Sequence, residues 1–63
     1  MYTVIIYLVM QSRPDVVMIT KSEAYPTIEQ CVKESMRILQ FREKGVTIDG
    51  MKVKDAICVK NKE

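Results

Sequence analysis

Histidine and tryptophan are absent from this 63-residue sequence, and glycine, proline and cysteine occur only twice each. Each shortage removes a class of chemistry. Without histidine, a hydrolytic triad has no usual base. Gly45 and Gly50 stand apart from other glycines, so no phosphate-cradling loop exists. Cys31 and Cys58 form no C-x-x-C pair, which excludes zinc-ribbon and thioredoxin-like sites. Among the carboxylates, Glu29 and Glu34 fall on a helix surface and Asp15 and Asp49 in turns, so no pair is placed for acid–base work. The longest apolar run, Val4 to Met10, is far short of the roughly 18–20 residues a membrane span needs. It also lacks the basic flank and small-residue cleavage site of a signal peptide. These absences predict a protein that is not an enzyme and holds neither cofactor nor metal. The same reading predicts a soluble protein of the cytoplasm.

What is present fits one domain over residues 1–63. Hydrophobic residues make up 48% of the chain, which argues against disorder. Charged residues make up 29%, mixed in sign, and a net charge of +2 is too small to imply nucleic acid by itself. A chain this short buries only about 60% of the surface its unfolded form exposes. Domains of this size commonly need a disulfide, a metal or a partner subunit.

Tyr2 to Gln11 reads as a strand, rich in β-branched residues and apolar on both faces, as a central strand is. The turn cluster Ser12-Arg13-Pro14-Asp15 leads to a second strand, Asp15 to Lys21, so the two form an antiparallel hairpin. Ser22 to Pro26 reads as a loop. Thr27 with Gln30 three residues later is a capping box, Glu29 suits the first turn, and Gly45 suits the position after the last. A helix from Ile28 to Lys44 follows. Val46 to Val53 contains an Asp-Gly hairpin signal and forms a possible short ribbon. Ala56 to Lys60 reads as the last strand. The expected fold is α+β, with ββαβ connectivity. It has a three-stranded antiparallel sheet of order 2-1-3 and one helix on one face.

Three features stand out. First, one helix covers one sheet face, yet the first strand is apolar on both. If Cys58 faces the helix, Ile57 and Val59 face away with one alternate set of the first strand. Ile5, Tyr7, Val9, Ile57 and Val59 are therefore candidates for self-association as a homodimer. Burying about 500 Å² per subunit would contribute on the order of 10 kcal/mol before association costs. The competing reading is that Val46 to Val53 folds over that face.

Second, the apolar stripe of the helix is Ile28, Cys31, Val32, Ser35, Met36, Ile38 and Leu39, and Phe41 falls outside it, one turn from Arg37. Lys33, Arg37, Phe41 and Lys44 resemble a hot spot for another protein. The same group could stack a base and hold phosphate, making nucleic acid the less favoured partner. The bland alternative packs Phe41 under the Gly45 to Met51 loop.

Third, a bond between Cys31 and Cys58 would close a loop of about 28 residues and stabilise by about 3 kcal/mol. A reducing cytoplasm predicts two buried free thiols instead.

The string Tyr25-Pro26-Thr27-Ile28-Glu29-Gln30-Cys31, followed by Ala56-Ile57-Cys58-Val59, resembles a pattern in small two-cysteine proteins of bacteria and their phages. The resemblance covers about half the chain and implies two strands, a helix and a last strand, with no activity. In size and lack of catalytic groups the chain is also similar to small phage inhibitors of host defence, including anti-CRISPR proteins. That likeness implies an inhibitory role and carries no functional residues over. The resulting expectation is a small protein-binding module acting as an inhibitor or regulatory accessory. Nucleic-acid binding by the basic helix face and a purely structural subunit are the alternatives.

Overall fold

The computed structural model describes residues Met1–Asn61. Its elements run β1 (Tyr2–Met10), β2 (Val17–Tyr25), α1 (Ile28–Lys44), β3 (Thr47–Ile48) and β4 (Met51–Lys60). All strand pairings are antiparallel, in the order β2-β1-β4-β3. The α+β class and the central place of β1 match the sequence reading. The sheet has four strands instead of three, because β3 adds a short edge strand beside β4.

Two strands are longer than their sequence signals. β2 continues through Ser22 to Tyr25, where a loop was expected. β4 begins at Met51, five residues before the expected Ala56. Each contains a break in register. Between Thr3↔Ala24 and Ile5↔Lys21, β2 carries one extra residue, and the Ser22 hydroxyl accepts the Val4 N–H at 3.0 Å. Between Tyr7↔Asp55 and Leu8↔Val53, the extra residue is Lys54. The Lys54 carbonyl accepts a bond from the Arg42 guanidinium at 3.2 Å. An extra residue shifts side-chain alternation by one. Val53 and Ala56 can therefore both face the core despite their odd spacing.

The helix has the predicted bounds. The Gln30 N–H donates to the Thr27 hydroxyl at 3.3 Å, satisfying one orphan donor of the first turn. Gly45 takes φ 72°, and the Val46 N–H closes the last turn on the Phe41 carbonyl at 2.9 Å. Asp49 and Gly50, at φ 51° and 77°, form the tight turn joining β3 to β4. That conformation matches the twist of the flanking strands and suits Asp-Gly.

The core lies between α1 and the β1/β4 half of the sheet. Val4, Ile6 and Leu8 meet Val53, Ala56, Cys31 and Ile38, all buried. Cys31 and Cys58 are joined by a disulfide, with Cα atoms 5.9 Å apart. The free-thiol expectation is corrected here, because both side chains enter the same space between α1 and β4. Disulfides are kept by oxidising surroundings, so the bond and a cytoplasmic location pull in opposite directions. Among the described residues, no helix is long and apolar enough to cross a membrane.

The helix stripe needs a second correction. Cys31, Ser35 and Ile38 are its buried residues, whereas Ile28, Val32 and Met36 are exposed. The cause is position: α1 is tethered over β4 by the disulfide and by Arg42, which turns the Ile28–Val32–Met36 flank outward.

Candidate functional site: the open sheet face

The register places two sets of side chains on opposite faces of the sheet. Val4 lies opposite Cys58, Ile6 opposite Ala56 and Leu8 opposite Val53, all on the helix side. The alternate set faces away from α1. It comprises Thr3, Ile5, Tyr7 and Val9 on β1, Val17, Ile19, Lys21 and Ala24 on β2, and Lys52, Lys54, Asp55, Ile57 and Val59 on β4, where Lys54 is the extra residue. Seven of these thirteen are large and apolar. Ile5, Tyr7, Val9, Ile57 and Val59, picked out from sequence, share this face. Val17 and Ile19 extend it and were missed. Their signal was available, since both alternate with Met18 and Thr20 in a run bounded by turn residues.

Val46 to Val53 does not cover this face. Thr47 and Ile48 pair with Lys52 and Met51 in the plane of the sheet, at its edge. The Cα envelope measures 37 × 23 × 14 Å, and its thinnest dimension accommodates a helix on a sheet with no third layer. Ile19 is 61% exposed and Val17 and Ile57 are 40% exposed, whereas Ile5, Tyr7, Val9 and Val59 are half-buried among their neighbours. Seven large apolar side chains on one uncovered surface exceed the scattered exposed residues normal for a protein surface.

The helix-side group is arranged differently from its sequence expectation. The Phe41 ring is half-buried and packs against the core, as Ile48 and Met51 do. Arg37 lies over that ring, 5.4 Å from its centroid, and forms an ion pair with Glu34. The Glu34 hydrogen bond and charge raise the Arg37 pKa further. Lys33, Glu34 and Arg37 line an open groove with Tyr25, Gln30, Met36 and Gln40, while Lys44 lies at the far end of the helix, outside it. Partial burial raises the Tyr25 hydroxyl above the usual tyrosine range. Glu34 and Glu23 add to the rise, and Arg37 and a hydrogen bond to Ser22 oppose it.

No family model, curated protein or solved structure matches this chain. Its functional reading therefore rests on its own surfaces. Among the described residues, no group of three potential metal ligands comes together. Nor does any buried side-chain polar atom lack a hydrogen-bond partner.

Proposed function

We propose that this chain is a non-catalytic binding module that works as a homodimer paired through its open sheet face. The observation that supports this most strongly is the set of seven apolar side chains on β1, β2 and β4 that no other described element covers. A second copy would give each sheet the apolar layer that one helix supplies only on the other side.

Pairing in this way turns both helices outward. Lys33 and Lys44 then lie on the exterior, with Arg37 held between Glu34 and Phe41. This outer surface is the candidate contact for another protein, and occupying that protein's surface would make the module an inhibitor or regulatory accessory. Nucleic-acid binding is less well supported. Phosphate contacts need free cations, and Arg37 is already engaged by a carboxylate and an aromatic ring.

Size-exclusion chromatography with multi-angle light scattering, over a range of protein concentrations, tests the reading. A dimer that Tyr7→Glu converts to a folded monomer supports it. A wild-type monomer at all concentrations overturns the homodimer.

A further inference from the structure

We infer that the second copy crosses the first at a steep angle, about 70° for ideal strand spacings, with Lys21 of each chain set against Asp55 of the other. This rests on the homodimer reading and adds the feature that fixes its geometry. Lys21 lies in the cross-strand row Lys21–Ile5–Ile57, and Asp55 in the next row, Ile19–Tyr7–Asp55. The two charges therefore stand at opposite corners of a rectangle of otherwise apolar side chains. Its centre falls between Ile5 and Tyr7.

Strand spacing of about 4.8 Å and a two-residue step of about 6.8 Å put Lys21 and Asp55 about 12 Å apart across the face. Any face-to-face pair of identical chains has its two-fold axis lying in the interface. An axis perpendicular to the Lys21–Asp55 diagonal exchanges those two positions. Each lysine then meets the partner copy's aspartate, giving two such junctions, while Ile5 and Tyr7 stack around the axis. An axis along the strands sets Lys21 against Ile57. An axis across them sets it against Ile19. Both arrangements bury two lysines and two aspartates against apolar groups, which is unfavourable.

The diagonal axis makes the two sets of strands cross at about 70°, close to the orthogonal class of sheet packing. Both residues are exposed in the single chain. The one ion pair among the described residues joins Arg37 and Glu34, so neither Lys21 nor Asp55 has an opposite charge paired to it there. Two further charges share this side of β4: Lys52 stands in the end row opposite Val9, at the rim, and Lys54, the extra residue between inward-facing Val53 and Asp55, lies beside the Lys21–Asp55 junction.

Charge exchange tests the arrangement. Lys21→Glu faces acid with acid and Asp55→Lys faces base with base. Each should weaken the dimer about tenfold while circular dichroism stays native. The double variant Lys21→Glu/Asp55→Lys should return to near the wild-type dissociation constant. Mixing the two single variants, one of them ¹⁵N-labelled, should give heterodimers in excess of either homodimer by native mass spectrometry, since both junctions are then complementary. Added salt should loosen the wild-type dimer and tighten each single variant.

Wild-type affinity in both single variants, with statistical mixing, would overturn this geometry and leave the dimer standing. A wild-type chain that never dimerises would overturn the functional reading itself. Asp55 also accepts the Ala56 N–H at 2.8 Å, so Asp55→Asn, which keeps an acceptor, separates a local backbone effect from the charge. If Asp55→Asn weakens the dimer as much as Asp55→Lys, the like-charge clash is refuted.

Discussion

Ile5 and Ile6 are neighbours with the same side chain, and they sit in opposite surroundings. Ile6 points under α1 and is 8% exposed, whereas Ile5 points to the open face. The covered face is held by a helix, a disulfide and close packing. The open face carries seven large apolar side chains among its charges, and no other described element lies over it. One face completes the fold of a single chain, and the other is where the proposed second copy would dock.

Breaking the covered face should have the largest effect. Replacing Cys31 and Cys58 together by alanine should destabilise by about 3 kcal/mol, and on this small domain should leave little folded protein at 37 °C. Chemical denaturation of oxidised and reduced protein measures this, and thiol titration of the denatured, unreduced chain should find no free thiol. Ile6→Ala should destabilise by about 3 kcal/mol. Ile5→Ala should remove about 1 kcal/mol or less from the monomer and act mainly on the dimerisation constant. Equal losses of monomer stability at the two positions would erase the distinction between the faces.

Smaller effects sharpen the same contrast away from both faces. Gly50→Ala retains φ near 77° only under strain and should cost about 1 kcal/mol. The loss should appear in hydrogen exchange of the β3–β4 turn and leave the dimer intact. The least effect is expected from pH. The folded Tyr25 hydroxyl holds its proton to higher pH than in the unfolded chain, whose value is near 10.0. Its contribution is fully present below that value and is lost as pH rises through the folded value. Tyr25→Phe should flatten the alkaline end of the stability curve. An unchanged slope would show that other groups set it.

Much of this was readable from the chain. The helix bounds followed from Thr27, Gln30 and Gly45, whose roles are local. The central place of β1 followed from its two apolar faces. The ends of β2 and β4 were not readable, because the extra residue in each breaks the two-residue alternation that marks a strand. Met51 and Val53 are in phase with each other but out of phase with Ala56 and Cys58. The segment therefore resembles two short pieces until the partner strand shows where the phase changes. The helix stripe was over-read for a related reason. Periodicity reports that Ile28, Val32 and Met36 are apolar, but where the helix is tethered decides which flank meets the sheet. The disulfide depended on compartment chemistry, which the spacing of Cys31 and Cys58 does not contain.

Both pairings of β1, with β2 and with β4, carry an extra residue, and such insertions increase local twist. A strongly twisted, charged edge is a poor template for another strand. Lys21 and Glu23 mark the β2 edge, and Lys54 and Lys60 the stretch of β4 beyond its pairing with β3. Growth strand by strand has no natural end and leads to fibres, whereas a two-fold pairing of faces consumes the adhesive surface in a single step. The irregularities that hid these strands in the sequence thus suit the proposed pairing, an assembly that would count to two and stop.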